Sequence, residues 1–232
     1  MQFNHEIFFD HVRDDPFDGH LTQSQVNGME AILDGWEEKR PDDDVRWLAY
    51  FLATCFHETA QAMQPVEEYG KGEGQPYGEP DPETGECYYG RGFVQLTWKD
   101  NYARADSEIG CDSVSQPEQQ LEAKISGATG YKGMIEGWFR SPNTFAKFFN
   151  DDTEDAYGAR EIINGDKHVV PDWSNGVSIG NLIVGYYEAF LEALTEASVE
   201  EPQPEPSQPF MSVAITASEG VKLSVTVNGE EL

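Results

Sequence analysis

Residues 44–65, Asp44-Val45-Arg46-Trp47-Leu48-Ala49-Tyr50-Phe51-Leu52-Ala53-Thr54-Cys55-Phe56-His57-Glu58-Thr59 followed by AQAMQP, decide the fold class. Trp47, Leu48, Phe51, Leu52, Cys55 and Met63 recur at helical spacing, Asp43 or Asp44 offers an N-cap, and Pro65 ends the helix. Upstream, Thr22 caps a helix through Trp36 that carries Val26, Met29, Ile32, Leu33 and Trp36 at the same period. Downstream, helices are expected at 99–108, 117–138, 153–162 and 178–196, the last with Ile179, Leu182, Ile183, Tyr186, Phe190, Leu191 and Leu194 on its apolar face. Residues 64–90 are rich in Gly and Pro and read as one long loop, and the best strand candidate is Phe93-Val94-Gln95-Leu96. The pattern is mainly α, without internal repeats.

The chain has 232 residues, of which 38% are hydrophobic, enough for a packed core and too many for wholesale disorder. Forty-three acidic residues against 15 Lys and Arg give a net charge of −28, which repels phosphate backbones and anionic lipid. Nucleic-acid and membrane partners are therefore not expected. The acidity suits either a well-solvated surface or adaptation to high salt, where screening relieves self-repulsion. Cys55, Cys87 and Cys111 fit neither a disulfide framework nor a zinc site, and no metal or cofactor is expected. The N-terminal MQFNHEIFFDHVRDD has no secretory pattern, so synthesis in a reducing cytoplasm is expected.

Composition shifts near residue 198. Residues 1–197 read as one helical domain, 198–209 as a Pro/Glu linker, and 210–232 as a β-hairpin appendage with strands 210–216 and 221–227. Two strands alone are marginal in water, so the hairpin is expected to dock on the main domain or on another chain.

Several familiar chemistries fail on spacing. The segment at His57-Glu58 has Gln61 where a helical zinc site needs its second His. Gly70-Lys71-Gly72 lacks the Ser/Thr of a phosphate loop, and Gly90-Arg91-Gly92 lacks a third glycine and a βαβ setting. Asp81, Glu83 and Glu86 read as a solvated turn. What remains is Glu58, on or beside the buried stripe of its helix, and Glu67 or Glu68 just beyond the helix end. Two carboxyls in unlike environments suit general acid and base work on a glycosidic bond. Trp98 and Trp138 read as core residues.

His57-Glu58-Thr59, then Tyr88-Tyr89-Gly90-Arg91-Gly92-Phe93-Val94-Gln95-Leu96-Thr97-Trp98 and Asn101-Tyr102, then Ile162-Ile163-Asn164-Gly165, together resemble glycoside hydrolase family 19. That family comprises chitinases and lysozyme-like phage endolysins, and the resemblance spans residues 20–196. It implies a lysozyme-like, two-lobed helical domain with a cleft. It implies Glu58 as general acid, Thr97 as a holder of the attacking water, and Gln95, Asn101 and Asn164 as sugar-binding side chains. Tyr89 and Tyr102 would border the cleft and stack on sugar rings, while His57 and Arg91 would brace it. The family inverts the anomeric centre, which fits carboxyls roughly 6.5–9.5 Å apart. For the base the resemblance leaves Glu67 and Glu68 both open, with Glu68 preferred because the Tyr69-Gly70 turn can fix it.

The expected substrate is a β-1,4-linked N-acetylhexosamine polymer. Bacterial peptidoglycan comes first, because the opening residues resemble phage lysins and the disulfides of secreted chitinases are missing. Such a protein would act on the cell wall after release. Chitin is the alternative substrate. A non-catalytic wall- or virion-associated binding protein is the alternative outside enzymology.

Overall fold

The computed structural model describes residues 1–199 and the strand residues 226–227 and 230–231. Within residues 1–199 the order is β1 (Gln2–Phe3), α1 (His5–Asp14), α2 (Gln23–Lys39), α3 (Val45–Glu58), β2 (Val66–Glu67), β3 (Arg91–Gly92), α4 (Lys99–Ile109), α5 (Ala123–Glu136), α6 (Phe145–Phe148), α7 (Ile179–Ala197) and β4 (Ser198–Val199). The fold is mainly helical.

Helix α3 is the spine. Every residue from Leu48 to Phe56 is buried, so it is apolar all round rather than striped. It packs on α7, which also takes α1, while α2 lies on α5. Phe56 sits between Phe17, Tyr186 and Phe190 with ring centroids 5.0, 4.7 and 6.0 Å away. Antiparallel β1 and β4 pair Gln2 with Val199 and Phe3 with Ser198, tying the start of the domain to the end of α7. A second, smaller apolar cluster of Tyr88, Leu96, Tyr102, Ala105 and Trp138 lies under the loop region. The two clusters are the cores on which the site is built.

The caps follow the sequence. Thr22 closes a full capping box with Gln25 at the start of α2, and Asp44 accepts from the Arg46 amide at the start of α3. The end of α3 departs from expectation. The helix stops at Glu58, where the Thr59 hydroxyl donates to the Cys55 carbonyl (2.7 Å) and accepts from the Met63 amide (3.0 Å). Ala60, Gln61 and Met63 then take positive φ, so the chain turns before Pro65 is reached. Met63 is fully buried, but by tertiary packing rather than as part of the helical stripe. Gly28 on α2 allows the approach, since a Cβ there would stand 1.7 Å from the Met63 carbonyl oxygen.

Other boundaries are corrected too. The helix expected over 117–138 is a 3-10 turn (Pro117–Leu121) followed by α5, and that expected over 153–162 is only a 3-10 turn at Gly158–Ile162. Helix α1 was not anticipated, because it buries only Phe8 and Val12. The strand lies at Arg91–Gly92 instead of 93–96, with Arg91 bridging to Leu96. The 64–90 loop holds β2 and a 3-10 turn at Pro76–Gly78, and backbone bonds such as Tyr88 N–H to Tyr77 C=O (2.9 Å) fix its course.

Cys55, Cys87 and Cys111 are all free thiols. No helix of the described residues is long and apolar enough to cross a membrane. The linker and hairpin expected over 198–232 lie outside the described residues, apart from Ser198–Val199 and a separate pairing of β5 (Thr226–Val227) with β6 (Glu230–Glu231).

Candidate active site

The last residue of α3 is Glu58, whose side chain is 17% exposed. Its Oε1 accepts from Nη1 of Arg160, a guanidinium only 3% exposed on the 158–162 turn. The same guanidinium donates through Nε to Oδ1 of Asp166 (2.6 Å) and through Nη2 to Oδ2 (3.0 Å). Arg160 thus holds two carboxyl groups at once, in the fork geometry that suits it to such work. Asn164 donates to Asp166 Oδ2 at 3.1 Å and is otherwise exposed. Burial would raise the Asp166 carboxyl, but hydrogen bonds and charge from Arg160 outweigh it and hold the group below the usual carboxylate range. Burial, reinforced by the Arg160 charge, pushes His57 down, so its ring is neutral near pH 7.

Antiparallel β2 and β3 supply the second set of groups. Val66 pairs with Gly92 and Glu67 with Arg91. Successive residues of an extended chain face opposite sides, so Glu67 and Glu68 diverge. Glu67 accepts from the Tyr89 hydroxyl (2.6 Å) and pairs with Lys71 (2.9 Å). Those two partners hold its carboxyl below its ordinary range. Glu68 accepts from the Gly90 amide (3.0 Å) and the Tyr77 hydroxyl (3.2 Å), while its own amide donates to the Gly90 carbonyl (2.7 Å).

Of the polar side chains singled out by motif, Gln95 stands beside Glu68, Thr97 and Asn101 follow it in a chain of hydrogen bonds, and Asn164 lies apart at Asp166. Gln95, at φ +56°, donates to the carbonyls of Val66 (3.0 Å) and Gly92 (3.1 Å). The Thr97 hydroxyl donates to the Gln95 carbonyl (2.9 Å), and Asn101 donates to the Thr97 carbonyl (2.9 Å). A Cβ on Gly90 would meet Gln95 Oε1 at 2.9 Å and Glu68 Cβ at 3.3 Å, so the glycine lets these two side chains stand together.

Two expectations are corrected here. Tyr102 is fully buried, its hydroxyl donating to the Tyr89 carbonyl (2.7 Å) and accepting from Arg91 (3.0 Å), so it offers no face to a sugar. Tyr89 is 7% exposed and its ring is covered by the Arg91 guanidinium, 3.6 Å from the centroid. Both tyrosines are structural props for Glu67 and Arg91. Trp98, read from sequence as core, is 50% exposed, whereas Trp138 is buried.

Sequence reasoning missed Arg160, Asp166 and Tyr77. The first two flank the Ile162-Ile163-Asn164-Gly165 element directly, but nothing in their spacing announces a charge clamp on a residue more than a hundred positions away. Tyr77 sits in the Gly/Pro-rich loop, where periodicity carries no signal.

No family model matches the chain. It is 38% identical over 88 residues to an acidic endochitinase from Beta vulgaris, covering 35% of this chain and 30% of that one. It is 27% identical over 188 residues to an acidic endochitinase from Dioscorea japonica, covering 76% of this chain and 69% of that one. The chain spans 30 to 43% of the lengths of the first three chitinases it matches. Its fold is similar to that of chitinase C from Streptomyces griseus, with a TM-score of 0.54 and 20% identity over 83% of this chain and 76% of that one. It is also similar to a bacterial family 19 chitinase, with a TM-score of 0.50 and 24% identity over 83% and 94%.

Proposed function

We propose that the chain is a glycoside hydrolase of family 19 type that cleaves β-1,4 bonds of an N-acetylglucosamine polymer of the chitin class with inversion at the anomeric carbon. The observation that carries this reading is the placement of Glu58. It is a carboxyl at a helix end, mostly shielded, with one oxygen held by Arg160. Its Oε2 has no hydrogen-bond partner among the described residues, so that oxygen is the one to carry the proton delivered to the leaving glycosidic oxygen. Glu68 is the general base. It stands next to Gln95, whose carbonyl accepts from Thr97, whereas Glu67 is committed to Tyr89 and Lys71. As base, Glu68 takes a proton from a water that Thr97 helps to position, and that water attacks the face opposite the leaving group. Arg160 and Asp166 act as positioning residues for Glu58.

Chitin takes precedence over peptidoglycan, reversing the order expected from sequence, because the sequence relatives are chitinases by name. A pure binding role needs no clamp on a shielded carboxyl at position 58. The test is hydrolysis of N-acetylglucosamine hexamer and of purified bacterial sacculi, with the anomeric form of fresh product read by NMR. Cleavage of the hexamer to α-anomeric product supports the proposal. Cleavage of sacculi alone moves the substrate to peptidoglycan, and turnover of neither overturns the enzymatic reading.

A further inference from the structure

A groove of about 340 Å³ opens beside the candidate base. Trp98 and Tyr77 form its aromatic wall, with ring centroids 5.0 Å apart and planes at 80°. Trp98 is half exposed at φ +76°, its backbone pinned by a bond from its amide to the Tyr88 carbonyl (2.9 Å). The Tyr88 ring lies in the floor, with its hydroxyl donating to Val114 C=O (2.9 Å). Pro76, Pro80 and Pro82 make the rim, and proline holds such a rim in one conformation. The Tyr77 hydroxyl donates to Glu68 at 3.2 Å, so one wall of the groove touches the proposed base.

The groove is also electrostatically one-sided. Glu79 and Asp81 line it, and its one lining cation, Lys99, is already paired with Asp81 (2.9 Å) and Glu83 (2.8 Å). An exposed indole in T-shaped contact with the Tyr77 ring offers a flat apolar surface of the kind that covers the C–H face of a pyranose. The acidic rim disfavours an anionic ring. We propose that this groove is a glycan subsite in which a neutral N-acetylglucosamine ring lies on Trp98, and that it discriminates against rings carrying a lactyl or peptide carboxylate. The inference rests on the proposed glycosidase reading and sharpens it, since it makes the subsite a filter between chitin and peptidoglycan.

The experiment titrates N-acetylglucosamine hexamer calorimetrically into the full chain carrying Glu58→Gln, alone and with Trp98→Ala or Trp98→Phe. Wild-type hydrolysis is followed in parallel. Trp98→Ala is expected to weaken binding about three- to tenfold, Trp98→Phe to restore most of it, and the melting temperature to stay unchanged. An N-acetylglucosamine tetramer is expected to bind more tightly than a peptide-bearing muropeptide tetrasaccharide, with Glu79→Gln narrowing that gap. Hydrolysis of the hexamer with unchanged affinity in Trp98→Ala overturns the subsite and leaves the glycosidase standing. Trp98-dependent binding in a chain that hydrolyses neither polymer overturns the glycosidase and leaves the subsite. Equal affinity for tetramer and muropeptide overturns the charge filter, and no binding of the hexamer overturns subsite and filter together.

Discussion

At the residue scale, the proposed function hangs on Glu58 and on the fixed charge that holds it. Glu58→Gln keeps the shape but has no proton to give, so turnover of the hexamer is expected to fall about 10²- to 10⁴-fold with the melting temperature preserved. The two candidate bases separate in the same assay. Glu68→Gln is expected to lose activity on that scale, and Glu67→Gln to retain most of it, because Glu67 is tied to Tyr89 and Lys71. A large loss in Glu67→Gln with activity kept in Glu68→Gln assigns the base to position 67 instead. Asp166 makes a pH prediction. Its folded carboxyl lies below its unfolded value, so the stability it contributes is full above about pH 3.9 and is lost as pH falls through the folded value. The lowered His57 ring works in the same direction, because the unfolded chain binds the extra proton first as pH falls below about 6.5. Denaturant midpoints of wild type and Asp166→Asn are therefore expected to differ near neutrality and to converge in acid. The pair Glu58 and Arg160 shows what a motif can and cannot say: the His57-Glu58-Thr59 motif names one partner, while the other is found only where the chain folds back.

At the element scale, the turn after α3 is the decisive piece. It stops the helix at Glu58, and then sends the chain into β2, so that acid and base candidates leave the same helix end in different directions. Helical periodicity pointed through to Met63 because Met63 is buried, and burial at that spacing looks the same whether helix or turn supplies it. The true stop is the Thr59 hydroxyl and a run of positive φ angles, neither of which has a strong signature at Ala60, Gln61 or Met63. Gly28 permits the close approach from the other side because it has no Cβ. Gly28→Ala drives a methyl into the Met63 carbonyl and is expected to destabilise the fold by about 1–3 kcal/mol, read as a lower denaturant midpoint. A midpoint equal to wild type means that α2 and the turn can separate without loss, and the close approach is not what requires glycine there. By contrast, Thr22, Asp44 and the apolar face of α7 were readable directly, because caps and long stripes depend on neighbours only a turn or two away.

At the scale of the whole molecule, charge and topology govern behaviour. A net charge of −28 on 232 residues is strongly self-repelling at low ionic strength. The melting temperature is expected to rise from low to molar NaCl as screening shortens the reach of that repulsion, and a flat profile removes salt adaptation from the account. The sequence by itself determined the mainly helical class, the identity of Glu58 as the residue to watch, and the cluster of Gln95, Thr97 and Asn101, because periodicity, capping and a long contiguous motif are all local. Tertiary structure alone decided that Arg160 holds both Glu58 and Asp166, that Tyr89 and Tyr102 are covered, and that Trp98 is open. The physical reason is the same in each case. Exposure and long-range ion pairing depend on which segments pack together in space, and a one-dimensional pattern holds no record of that until the two apolar cores have formed.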